Sequence, residues 1–270
     1  MADRQLSDSV ALHTAARRFA IEREKILDSD HQGHADAKDG VRCSAVGCIL
    51  EEVEKLDPAN LRDLASTREQ VISAARTAGG QHEADFIGTS IAVGEVREKF
   101  VVELEAFCTY VTGLSRSDLA AVEPLPFRRF IENTEAKELW ARVTERWDPW
   151  TILGNYRPLL GPCSSDVLVL EERAFFEAFD ASVLRSILAL HGVARVWRFT
   201  WRCDEFDDDD LVGYELDLPL ITPDIGWDSW ASPELDWVIH VRQAGRAAMI
   251  GGWLSKAVTS RWPSWRDHMA

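Results

Sequence analysis

Two imidazoles and two thiols, His31, His34, Cys43 and Cys48, are spaced H-x2-H-x8-C-x4-C in a polar, glycine-containing segment that leads into a helix. Such a donor set suits tetrahedral zinc, which takes neutral His nitrogen and Cys thiolate. With all four ligands from the protein the site would be structural, leaving no open position for water. The spacing fits no common zinc finger, and Cys48 borders the apolar positions Val46, Ile49 and Leu50. A polar loop followed by two buried thiols is the competing reading.

Residues 203–241 carry twelve acids and no Lys or Arg, in a chain whose formal charge is −15. Three uses are open to such a stretch. Asp204–Asp210 can be a polar loop between hairpin strands, with Glu215 and Asp217 facing Arg198 and Arg202 on the neighbouring strand. Asp207, Asp208, Asp209, Asp210, Asp224 and Asp228 can instead form a surface for a basic protein, since clustered like charge speeds encounter and selects partners. Calcium is the third. An EF-hand loop begun at Asp204 puts Glu215 at its twelfth position, but Phe206 stands at the third and Asp209 replaces the sixth-position glycine.

Trp227 and Trp230 lie among these acids in the Pro/Gly/Asp/Ser-rich segment Thr222–Pro233. Exposed there, they would be interface anchors. Trp197, Trp201 and Trp237 fall on the apolar side of alternating segments and read as core rather than as sugar-stacking platforms.

Nucleophilic chemistry has no motif behind it: G-x-S-x-G, H-E-x-x-H, Walker and G-x-G-x-x-G patterns are all missing. His82-Glu83 with Asp85, after Gly79-Gly80, could host acid–base work from a loop. His240 alternates with Trp237, Ile239 and Val241 and reads as a polar strand residue.

The elements that must position these groups divide by composition. All 11 tryptophans occur at or after Trp140, which with Asp148-Pro149 and Gly161-Pro162 marks two regions meeting near residue 150. Residues 1–150 predict a helical bundle. Leu12, Ala15, Ala16, Phe19 and Ile26 mark one stripe, and Val46, Ile49, Leu50 and Val53 a second. A third helix opens at Asp57-Pro58 and ends at Gly79-Gly80. Val93, Val96, Phe100, Leu104, Phe107, Val111 and Leu114 make the longest stripe, which needs a complementary surface in the bundle or in a second copy. Shorter helices follow around 125–147.

Residues 151–270 predict a small, mainly antiparallel sheet with flanking helices, so the chain as a whole is α+β. Strands are expected at 166–170, 193–202, 211–217, 237–241 and 247–250, with helices over 171–190 and after Gly251-Gly252.

Acidic balance argues against nucleic acid and anionic membranes as partners, and no apolar run reaches the ~18–20 residues of a membrane span. Five scattered cysteines make a poor disulfide framework, and the first twenty residues carry charges where a signal peptide would be apolar. A cytoplasmic setting is expected.

The segment Asp236-Trp237-Val238-Ile239, with Gly245, Gly251-Gly252 and Trp262-Pro263 followed by Trp265, resembles a D-W-V-I … G-G … W-P-x-W tail of uncharacterised bacterial immunity-type proteins. The resemblance covers under forty residues and implies a bacterial protein with a sheet-and-helix C-terminal domain. Where those proteins carry Ser-His-Glu, this chain has Arg242, Gln243 and Ala244.

The leading expectation is a non-enzymatic, immunity- or antitoxin-like binding protein. It would meet a basic protein through Asp207–Asp210, Asp224, Trp227, Asp228 and Trp230. One alternative is a metal-assisted hydrolase using the His/Cys cluster or His82 and Glu83. Another is an assembly subunit pairing through Val93–Leu114.

Overall fold

The computed structural model describes residues 6–33, 37–147, 166–201, 211–222, 228–242 and 247–269, and within them all side chains except those of 29–33, 37–39, 201, 242 and 247. It is an α+β protein of two compact units, Met1–Leu125 and Pro126–Ala270. The divide thus falls before the composition shift near 150, because 128–147 pack with the sheet.

In the first unit, helices α1 (Asp8–Gly33), α2 (Ala37–Glu54), α3 (Leu64–Ala84), α4 (Val93–Gly113) and the short α5 (Arg116–Ala120) form the expected bundle. Its core holds Leu12, Ala16, Ile49, Val53, Val71, Phe100, Phe107 and Val111. The α4 stripe therefore faces inward within its own bundle. Only its first member, Val93, is left exposed. Asp57-Pro58 opens a 3-10 turn (Pro58–Asn60) and no more, because Leu61 is extended; the helix begins again at Leu64, capped by Asp63, whose carboxylate accepts from Ser66 N at 2.9 Å. Gly79-Gly80 does not stop α3. An added Cβ on Gly79 would stand 3.0 Å from Phe100 Cε1, so this glycine lets α4 approach.

The bundle also buries charge. Arg17 and Glu54, almost fully enclosed, meet at 3.1 Å, and Glu103 receives Arg23 (2.8 Å) and Arg42 (2.6 Å). His13 donates from Nε2 to Val53 O at 3.0 Å. Buried ions survive only when paired in this way.

The second unit is built on a seven-stranded, wholly antiparallel sheet. Its strands are β1 (Arg128–Ile131), β2 (Val167–Glu171), β3 (Arg195–Trp201), β4 (Leu211–Asp217), β5 (Ser229–Ala231), β6 (Trp237–Arg242) and β7 (Ala247–Gly252). They lie in the order β1-β4-β3-β5-β6-β7-β2. Helices α7 (Glu172–Ala178), α8 (Ala181–Leu190) and α9 (Trp253–Arg261) cover one face, where Phe175, Leu184, Ile187 and Leu254 pack with Trp230, Trp237, Ile239 and Ile250. The expected single helix over 171–190 is two, because Asp180 caps a fresh start by accepting from Ser182 N and Val183 N.

The other face is covered by α6 (Asn133–Trp147), whose Ala136, Trp140, Val143 and Trp147 recur at helical spacing and pack on Trp197, Phe199, Val238 and Met249. The sheet is therefore the middle of three layers. Alternation along its strands separates two apolar faces, not an apolar face from a wet one.

Gly251 and Gly252 belong to this packing and are not a linker. A Cβ on Gly251 would come within 2.9 Å of Trp147 Cε3, and one on Gly252, whose φ is +69°, would stand 1.9 Å from Asp236 O.

Candidate functional site

The register gathers the strand ends that border the segments carrying the surplus charge. Trp201 pairs with Leu211 across β3 and β4, Phe199 with Ser229 across β3 and β5, and Arg242 with Ala247 across β6 and β7. The strand ends bordering 202–210, 223–227 and 243–246 thus lie side by side at one end of the sheet. Asp207, Asp208, Asp209, Asp210, Asp224 and Trp227 fall outside the described residues.

Asp228 and Trp230, the two described members of the expected partner surface, are both buried, and this corrects their reading as exposed contacts. Asp228 Oδ2 accepts from Arg198 Nε at 3.0 Å and Nη2 at 2.8 Å, and Asp228 O accepts from Val241 N at 3.2 Å. Trp230 is 1% exposed, and the Arg198 guanidinium lies 5.3 Å from its ring centre. The segment read as a loop contains strand β5, and pairing on both edges by β3 and β6 sends Trp230 into the core.

The other described acids of the stretch are mostly answered within the unit. Glu215 takes Arg129 and Arg195, both at 3.2 Å. Asp217 takes Arg195 at 3.4 Å and accepts from Phe127 N at 2.7 Å. Arg198 is not their partner, as the sequence suggested, because Arg195 and Trp197 are the residues opposite Asp217 and Glu215, and Arg198 points to the other face. Arg202 lies outside the described residues. Asp236 accepts from Ser232 Oγ at 2.5 Å and Trp253 Nε1 at 3.0 Å. Glu234 is exposed, and the seven remaining acids, Asp204, Glu205, Asp207–Asp210 and Asp224, belong to the undescribed segments.

The proposed zinc ligands do not assemble among the described residues, which hold no group of three His, Cys, Asp or Glu able to bind a metal ion. The side chains of His31 and His34 lie outside the described residues. Cys43 and Cys48, five residues apart on α2, point roughly 140° apart. Cys43 packs beside Leu27, Val46 and Leu50, and Cys48 enters the main core beside Ile49. Cys48 Sγ donates to Asp85 Oδ2 at 3.5 Å, and burial together with the Asp85 charge pushes its thiol up to about 12. Burial and then Glu24 and Asp28 raise Cys43 as well. Both thiols hold their protons at neutral pH, whereas zinc takes thiolate.

His82, Glu83 and Asp85 also diverge. His82, on the last turns of α3, is fully buried and donates from Nε2 to Val41 O at 2.9 Å, its ring stacked on Phe100. Glu83 makes a two-toothed pair with Arg97 at 2.8 and 3.0 Å, whose hydrogen bonds hold its carboxyl below the usual range. Asp85 accepts from Gln81 Nε2 at 2.7 Å.

One polar pair escaped the sequence reading. Ser229 Oγ and His240 Nδ1 are hydrogen-bonded at 2.6 Å, both buried, across β5 and β6 under Trp140. The helical spacing of Trp140, Val143 and Trp147 was the signal that this face is covered. A serine and histidine closed beneath a helix serve packing, since a nucleophile needs access to its substrate.

No protein-family model, curated protein or solved structure matches the chain.

Proposed function

We propose that this is a non-enzymatic binding protein, of the immunity or antitoxin kind, that recognises a basic protein through the acidic segments at one end of its sheet. The observation that carries the reading is the register. It roots 202–210, with six acids against one base, beside 223–227. The described acids Glu215, Asp217 and Asp228 already have cationic partners inside the unit, so within this stretch the reading rests on the acids of 202–210 and on Asp224. Like charge gathered in one place steers a cationic partner and repels nucleic acid and anionic membrane. With Trp230 in the core, the aromatic contribution reduces to Trp227. A reducing cytoplasm is the setting this reading assumes, and Cys43, Cys48 and Cys108 are free thiols. No helix among the described residues is long and apolar enough to cross a membrane.

The test is association with immobilised polylysine as the salt concentration is varied. Wild type should bind with a rate that falls steeply with salt, and Asp207–Asp210→Asn should remove most of that dependence. A control replacing Glu22, Glu69, Glu98 and Glu105, exposed acids of the first unit, with Gln should retain it. Equal losses in the two variants would sink the proposal, since any acidic face would then serve.

A further inference from the structure

We infer, independently of the recognition reading above, that 262–269 is a strap that holds the apolar border of the sheet closed against a second copy of this chain. Gly252 N donates to Asp166 O at 2.8 Å. Bonds of an antiparallel ladder fall on alternate residues, so Leu168 and Leu170 address β7, and the N–H and C=O groups of Val167, Val169 and Glu171 face away from it. Strand β2 is last in the sheet order. Among the described residues Met269 alone pairs on its outer side, bridging antiparallel to Leu170.

The two borders of the sheet are protected differently. Strand β1 is short and charged: Arg129 is held by Glu135 at 2.9 Å and Glu215 at 3.2 Å, and the Arg128 guanidinium lies 4.7 Å from the ring centre of Tyr214. Charge on an edge strand discourages a foreign strand. Strand β2 reads Val-Leu-Val-Leu before Glu171, with Leu168 and Leu170 in one interior and Val167 and Val169 in the other. Nothing in those four residues repels a strand, so the protection comes from what lies against them. Trp262 and the 3-10 turn Trp265–His268 supply it. Trp262 and Trp265 pack on the same interior as Leu168 and Leu170. Trp262 also meets Phe179 edge-on at 5.9 Å, and the His268 ring stacks on Trp262 at 4.9 Å. Two indoles thus anchor the strap and set Met269 against the border.

A second copy fits the border once the strap is gone. Two β2 strands paired about a twofold axis at Val169 set Leu168 opposite Leu170 and Val167 opposite Glu171. No acid of one β2 strand then faces an acid of the other, although each chain carries a formal charge of −15. The pairing also satisfies the outward N–H and C=O groups of Val167, Val169 and Glu171.

Sedimentation velocity over a wide range of concentration compares wild type, Trp265→Ala, W265A/M269G and the last with Val169→Pro added. Wild type should stay monomeric. Trp265→Ala should dimerise in part and W265A/M269G further, with the Val167 and Val169 amides exchanging about tenfold or more slowly in the dimer. Val169→Pro removes an outward N–H and no bond to β7, so it should restore the monomer. Trp265 is half-buried and follows the last strand, so Trp265→Ala decides the matter if the double variant fails to fold. Released variants that stay monomeric at every concentration overturn the inference, as does a dimer that survives Val169→Pro. A wild type that already protects Val169 as its concentration rises overturns it too, since the border would then be open with the strap in place.

Discussion

Trp140 on α6 and His240 on β6 face each other with ring centres 5.7 Å apart, across the side of the sheet that alternation alone marks as polar. The contact identifies a second apolar layer, continued by Trp147 on Gly251 and by Trp197 against Phe199 at 6.3 Å. Most of the second unit's stability comes from these two interiors, and the first predictions concern them.

Trp230→Ala should destabilise the second unit by about 3–5 kcal/mol, the cost of emptying a large core site. Urea denaturation followed by the remaining indole fluorescence measures it. A change within half a kcal/mol would mean that Trp230 is a surface residue after all.

Gly252→Ala should cost at least about 2 kcal/mol, because φ of +69° with ψ of −152° is backbone that L-residues rarely adopt and Asp236 O occupies the Cβ position. The midpoint of thermal unfolding reports this. Gly40→Ala, in α2 with nothing within 4 Å of the new methyl, should be neutral or slightly stabilising.

Arg17→Met should cost the first unit about 3 kcal/mol or more, since removing one partner leaves Glu54 charged in the bundle interior. Replacing both, as R17M/E54L, should recover a large part of the loss. A double-mutant cycle by chemical denaturation separates the pair from the packing.

The bundle should weaken in acid through His13. Burial first, and then the Arg17 charge, lower its pKa from 6.5 to about 4, against the raising effects of its bond to Val53 O and of Asp57. Between those values the unfolded chain binds a proton that the folded chain refuses, so stability falls as pH drops through that window and levels off below it. The slope is at most about 1.4 kcal/mol per pH unit. Urea midpoints of wild type and His13→Gln, measured across that window, should converge as the pH falls; parallel lines would remove His13 as the cause.

Much of the fold is legible in the sequence where one period dominates. The α4 stripe, the strand at 211–217 and the strand β7 all follow from spacing alone. The failures have a common origin in what lies opposite. Nothing in Thr222–Pro233 announces a three-residue strand, because β5 owes its existence to pairing by β3 and β6 on its two edges. Glycines at 79 and 80 look like a stop signal, yet a neighbouring phenylalanine makes a helix there worthwhile. At the candidate site, the sequence shows where the acids cluster along the chain. Which of them are already neutralised depends on register, and register put Arg195 and Arg129 on Glu215 where strand alternation alone suggested Arg198.

The order β1-β4-β3-β5-β6-β7-β2 has a consequence for synthesis. The two strands made first are the two borders of the sheet, and their partners β4 and β7 are completed only at Asp217 and Gly252. A nascent chain that has emerged as far as Glu171 holds both borders and none of the interior between them. The β1-β4-β3 side of the sheet can pair once Asp217 has emerged, whereas β2 must wait for Gly252. During that interval Val167–Leu170, an apolar edge strand without its neighbour, is the segment most open to mispairing with another chain.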